Sequence, residues 1–121
     1  MVTTPKSLRL LLVDDHADTR TVLSRLLNKS GHEVVTADSV EKALELLDSR
    51  QFDALISDIG LPISSGHDLV RETKRRQSLK AIALSGFGMD DDVQRSLDAG
   101  FDYHLTKPIN FQDLQSVLEK L

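Results

Sequence analysis

The chain has 121 residues, 28% charged and 40% hydrophobic, with a formal net charge of -4 and no cysteine. That length holds one well-buried core and is too short for two ordinary domains, while the acidic balance lacks the basic footprint that a phosphate backbone requires, so nucleic acid is excluded as an expected direct partner. The missing cysteines remove disulfides and thiolate metal sites and fit a reducing, cytoplasmic compartment, and the longest aliphatic run, Leu10 to Val13, falls far short of the roughly 18 apolar residues of a membrane-spanning helix.

Residues 1–7 have no long apolar stretch of the kind a secretory signal carries and read as a polar tail or the end of a linker. Leu8 to Val13 is a compact apolar run ending at acids, as expected for a strand buried on both faces. Thr19, Val22, Leu23, Leu26 and Leu27 then recur at helical spacing and predict an amphipathic helix that stops at Gly31. His32 to Ala37 supplies a second strand, and Asp38-Ser39 with Glu41 in the first turn opens a second helix marked by Val40, Ala43, Leu44 and Leu47. Phe52 to Ser57 is the third strand, ending at Asp58. Residues 59–66 carry Gly, Pro and Ser and form a loop, after which Leu69, Val70 and Thr73 mark a third helix. Its basic end, Lys74, Arg75 and Arg76, complements the helix dipole.

Lys80 to Leu84 is a fourth strand closed by Ser85, with Gly86, Phe87 and Gly88 read as a mobile loop. Val93, Leu97 and Ala99 mark a fourth helix stopping at Gly100, and Phe101 to Thr106 a fifth strand ended by Pro108. Asn110 caps a last helix carrying Leu114, Val117, Leu118 and Leu121. Strict strand-helix alternation implies a parallel sheet covered on both faces.

Four strands therefore end on polar residues suited to phosphoryl chemistry: Asp14 with Asp15, Asp58, Ser85, and Lys107. In open α/β sheets, ligands bind beyond the carboxyl ends of the strands. If the three carboxylates converge within about 5 Å, each pair repels by roughly 3 kcal/mol at an effective dielectric near 20, and such a site wants a hard cation of the Mg2+ type rather than zinc. Asp14 and Asp15 could instead cap the first helix, but one acid suffices for that. Asp58 could attack phosphorus to form a mixed anhydride, with Lys107 as a compact countercharge or as a salt-bridge partner of the acids. Ser85 could hydrogen-bond a phosphoryl oxygen or cap the following turn.

Leu12-Val13-Asp14-Asp15, Ser57-Asp58 with the loop through Pro62 to Gly66, Ala83-Leu84-Ser85-Gly86, and Ala99-Gly100 followed by Lys107-Pro108 together resemble the receiver domain of bacterial two-component response regulators. The resemblance covers residues 8–121. It implies a flavodoxin-like (βα)5 fold with strand order 2-1-3-4-5, an order for which a chemotaxis receiver is a known example. It also implies phosphorylation of Asp58 by a histidine kinase or histidine phosphotransfer domain. Asp15 and Asp58 would bind Mg2+ directly with the backbone carbonyl of Gly60, and Asp14 would hold a metal-bound water. Ser85 would be the switch hydroxyl and Lys107 the family's lysine, with a cis bond to Pro108. A homodimer through the fourth helix, fifth strand and fifth helix is a further option. The resemblance implies a phosphoacceptor rather than an enzyme; Gly60 and Phe87 offer no group to orient water, which predicts slow self-dephosphorylation.

One position departs from the family pattern. Where a rotating aromatic is usual, three residues before the lysine, this chain has His104, so a switch there could work through a rotamer, a charge change, or not at all. The run from Gly100 to Pro108 is similar to receivers of hybrid sensor histidine kinases. A dehalogenase-type phosphatase would need Asp where His16 stands, and a flavin carrier would need a hydroxyl-rich loop where Asp14, Asp15 and Asp18 would repel phosphate. A phosphorylation-independent interaction module of the same fold is the more serious rival, although every expected site residue is present.

Overall fold

The structure is a computed structural model and describes residues 7–59, 66–86 and 90–121. Among these, five strands alternate with five helices in the order β1 (Arg9–Val13), α1 (Ala17–Lys29), β2 (Glu33–Ala37), α2 (Val40–Ser49), β3 (Ala54–Asp58), α3 (Gly66–Arg76), β4 (Lys80–Ser85), α4 (Asp90–Ala99), β5 (Tyr103–Thr106) and α5 (Phe111–Glu119). All pairings are parallel and the sheet order is β2-β1-β3-β4-β5, the flavodoxin-like order that the resemblance implied.

The middles of the central strands are apolar because each residue there meets one of two cores. Leu10 and Leu12 of β1, Ala54 and Ile56 of β3, and Ile82 and Leu84 of β4 pack with Leu23 and Leu27 of α1 and Leu114 and Leu118 of α5. Leu11, Val13, Leu55, Ala81 and Ala83 point the other way, against Ala43 and Leu47 of α2, Leu69 and Val70 of α3, and Ala99 of α4. This alternation is the period of two that a strand imposes. Each fully buried leucine contributes roughly 1.5–3 kcal/mol of transfer free energy.

Helix ends follow the sequence signals. Ser39 Oγ accepts the Lys42 N–H at 3.2 Å, and Asn110 Oδ1 accepts the N–H groups of Gln112 and Asp113 at 2.8 and 3.4 Å. α1 stops at Gly31, whose φ of 98° lets its N–H reach Asn28 O while His32 N–H reaches Leu27 O, the paired closure of a Schellman turn. Gly100, with φ of 123°, closes α4 in the same way onto Leu97 and Ser96.

Two apolar assignments change. Val22 is 56% exposed and Leu97 43% exposed, so neither belongs to a core. In α4 the inward side is held by Ser96 and Ala99, and successive residues turn by about 100° around a helix, which carries Leu97 outward. In α1, Leu23 and Leu27 take the inward line, and Val22 instead borders a groove with Pro108 and Ile109. Phe52 and Phe101 precede their strands rather than opening them, yet both are buried.

The basic end of α3 makes specific pairs beyond a general dipole interaction. Lys74 Nζ donates to Leu79 O and to Asp102 Oδ2, both at 2.7 Å, and Arg76 reaches Asp48 at 2.9 Å and Glu72 at 2.7 Å. The expected tail at residues 1–6 and most of the loop after β3, residues 60–65, lie outside the described residues.

Candidate functional site at the carboxyl ends of the strands

Parallel pairing brings the carboxyl ends of all five strands to one edge of the sheet. The ladder continues one residue past three of the strands. Asp14 N–H donates to Ala37 O at 3.2 Å, Ile59 N–H to Leu84 O at 3.0 Å, and Lys107 N–H to Ser85 O at 2.6 Å. These bonds fix the backbone from which the site side chains depart.

Asp14 is fully buried and Asp58 is 5% exposed, whereas Asp15 is open to solvent. One carboxylate oxygen from each of the three and a ring nitrogen of His16 all lie within 4.8 Å of one another. Lys107 Nζ stands 3.3 Å from Asp14 Oδ2 and 3.2 Å from Asp58 Oδ2. The other oxygen of Asp14, Oδ1, accepts the His16 backbone N–H at 2.8 Å and lies 3.0 Å from His16 Nδ1. From α1, Arg20 donates to the Asp14 carbonyl at 2.7 Å, tying the loop that carries both acids to the helix behind it.

Among the described residues the formal charge here is three carboxylates against one ammonium, a net of -2 before any contribution from His16. Like charges 4–5 Å apart repel by roughly 3–4 kcal/mol per pair at an effective dielectric near 20. Burial alone would pull the Lys107 pKa down, but hydrogen bonding and charge from Asp58, with Asp14 behind it, outweigh that and raise it above the ordinary value of 10.5. Lys107 therefore stays charged at neutral pH. A hard divalent cation coordinated by carboxylate oxygens and water is the ligand that this donor set and residual charge fit.

The structure thus brings together Asp14, Asp15, Asp58 and Lys107. Asp14 does not cap α1, because it receives the amide of His16, the residue that precedes the helix. Ser85 ends β4 one residue beyond the partner of Asp58 and is 1% exposed. His104 pairs with Ala83 on β5, half-buried and two residues short of the strand end. The Lys107-Pro108 bond is cis. Gly60, Phe87 and Gly88 lie outside the described residues. Two contributors were not recognised from the sequence, His16 and Arg20. Position directly after an acid pair could have flagged His16, while nothing local distinguishes Arg20 from any exposed helix arginine.

The family model described as "Response regulator receiver domain" matches residues 10–119. A 14.6 kDa protein of Leptolyngbya boryana is 35% identical over 114 residues, 92% of this chain and 87% of that protein. The virulence sensor protein BvgS of Bordetella pertussis is also 35% identical, over 122 residues that make up 94% of this chain but 10% of the sensor. The chain therefore spans most of one relative and a small part of the other. The crystal structure of a response regulator receiver domain protein from Clostridium thermocellum superimposes with a TM-score of 0.86 at 30% identity, covering 93% of this chain and 91% of that one. Among the described residues no helix is long and apolar enough to cross a membrane.

Proposed function

The chain belongs to the response regulator receiver domain family of two-component systems, and from that premise we propose that it accepts a phosphoryl group onto Asp58 from a phosphohistidine of a histidine kinase or phosphotransfer domain. A carboxylate oxygen of Asp58 attacks phosphorus, the acyl phosphate O–P bond forms, and the P–N bond to the donor imidazole breaks with its electron pair retained by the ring. Asp58 is suited to this by being held at a strand end with little freedom, so that orientation is set before the donor arrives.

Lys107 counters the charge of the incoming phosphoryl oxygens as a preorganised ammonium. Asp14 and Asp15, with Asp58, would hold Mg2+, which supplies further neutralisation of phosphoryl oxygen charge when bound. Ser85, at the neighbouring strand end, would hydrogen-bond the bound phosphoryl group. His104 would occupy the switch position, and the resulting change of surface is the output.

The observation that carries this reading is the convergence of Lys107 Nζ on both Asp14 and Asp58, at 3.3 and 3.2 Å, from residues 93 and 49 positions away in sequence. A helix cap or solvated acid pair needs no such partner. Incubation with Mg2+ and acetyl phosphate followed by intact mass measurement is expected to add one phosphoryl group to the wild type and none to Asp58→Asn. Equal incorporation in both would overturn the assignment of Asp58.

A further inference from the structure

Among the described residues, the acid pocket contains one metal-ligating donor that is not an oxygen. His16 Nδ1 lies 3.0 Å from Asp14 Oδ1, 3.2 Å from Asp15 Oδ1 and 4.0 Å from Asp58 Oδ2. Donors held about 2.1 Å from one ion stand about 3.0 Å apart when adjacent in an octahedron and about 4.2 Å apart when opposite. The three distances from Nδ1 fall in that range, and the four donors together, within 4.8 Å of one another, need close only slightly to surround one ion.

The place of His16 in the fold makes the ring available for this. It occupies the residue before α1, with φ of -89° and ψ of 115°, and its side chain caps no helix amide; Nδ1 instead shares a hydrogen bond with Asp14 Oδ1, which an ion between the two would replace. Its backbone amide is fixed by Asp14 Oδ1, so the side chain starts from a defined point, while 65% of it remains exposed to incoming ions. Asp14 divides its carboxylate, with Oδ2 toward Lys107 and Oδ1 toward His16. The ammonium and the imidazole thus approach Asp14 through different oxygens, whereas Asp58 Oδ2, 3.2 Å from Lys107 Nζ and 4.0 Å from His16 Nδ1, faces both.

We propose that His16 Nδ1 is a further metal ligand, converting an all-oxygen pocket of the magnesium type into a mixed site that favours a late first-row divalent ion such as Co2+, Ni2+ or Zn2+. The inference rests on the metal reading of the same acids given above. Imidazole nitrogen suits these ions, and their affinity for nitrogen-containing sites exceeds that of harder cations, whereas Mg2+ prefers oxygen and retains its waters. His16 should accordingly contribute much to Co2+ binding and little to Mg2+ binding.

Isothermal titration of the phosphate-free chain with Co2+ and, separately, with Mg2+ tests this, with the visible absorption of bound Co2+ as a second readout. The wild type is expected to bind Co2+ at least about tenfold more tightly than Mg2+. His16→Ala should lose about tenfold or more in Co2+ affinity and show altered Co2+ bands, with Mg2+ affinity changed by less than about threefold. Mg2+ binding by the variant also reports that it is folded. Co2+ affinity and spectrum unchanged in His16→Ala would overturn the proposal while leaving the acid pocket intact as a magnesium site. Equal losses for both ions would also overturn it, since they would make His16 a positioning residue for the acids. Binding of neither ion by the wild type would overturn the pocket reading itself.

Discussion

At the amino ends of the strands, Gln77 commits its whole amide to the backbone, accepting from Phe52 N–H at 2.9 Å and donating to Leu47 O and Arg50 O at 2.7 and 2.6 Å. Nearby, Asp102 Oδ2 takes both the Lys74 ammonium and the Ala81 N–H, and Asp53 takes the Arg9 N–H at 2.7 Å. At the carboxyl ends, by contrast, three carboxylates of the described residues gather where one ammonium reaches two of them. One end of the sheet has nearly matched donors and acceptors and ties α2, α3 and the strands into a unit. The other concentrates unbalanced charge where a ligand can complete it. Stability and reactivity are thus segregated along the strand direction, as expected where a charged site is supported by a rigid scaffold.

The largest effect should come from removing the compensating ammonium that the described residues place beside the acids. Lys107→Met leaves the buried Asp14 and Asp58 without it and is expected to lower stability by about 3 kcal/mol in metal-free buffer, measured by urea unfolding, with part of the loss restored by Mg2+. Because the Lys107 pKa is raised, its contribution is complete below its ordinary 10.5 and is lost as pH rises through the folded value. The gap between wild type and variant should therefore close at strongly alkaline pH. A midpoint unchanged by the substitution near neutral pH would show that the ammonium does not balance the acids.

A somewhat smaller loss, about 2 kcal/mol, is expected for Gln77→Ala, which strips partners from buried backbone groups. Its more telling property is independence. Mg2+ at a hundredfold excess over its Kd should add about 2.7 kcal/mol to Gln77→Ala and wild type alike, since distant sites without shared partners are additive. A cation increment that shrinks in the variant would break the separation of the two ends.

The smallest effect concerns His32, whose Nδ1 accepts the Leu8 N–H at 3.1 Å and whose pKa is lowered from 6.5 by burial. The unfolded chain then binds its proton more readily, so this contribution to stability is full above about pH 6.5 and declines as pH falls through the folded value. His32→Asn should flatten stability across that window. An identical acid limb in the two proteins would assign the decline to other groups.

The sequence carried the fold well because its signals were local. Apolar runs such as Leu10 to Val13 require burial on both faces, and Gly31 and Gly100 mark helix ends that need a positive φ. Asp14, Asp15, Asp58 and Lys107 were legible because each follows or closes a strand, and parallel strands must end together. His16 and Arg20 were not, since their roles depend on which way a side chain turns after the first strand. The outward rotation of Val22 and Leu97 escaped for the same reason: periodicity identifies a helix face, but the rotation of that face against the sheet is set by neighbours distant in sequence.

β5 has four residues, lies at the sheet edge and pairs with β4 alone. Edge elements with few partners open at lower free energy than central strands. Because Lys107 follows this strand, a local opening would withdraw the ammonium while β1 and β3 kept their carboxylates in place. The contact between residues 14 and 107, spanning 93 positions, is the longest-range closure of the pocket, so it is the one such an opening would break. The charge balance of the pocket thus depends on an edge strand with one neighbour, while its acids depend on the two strands at the middle of the sheet.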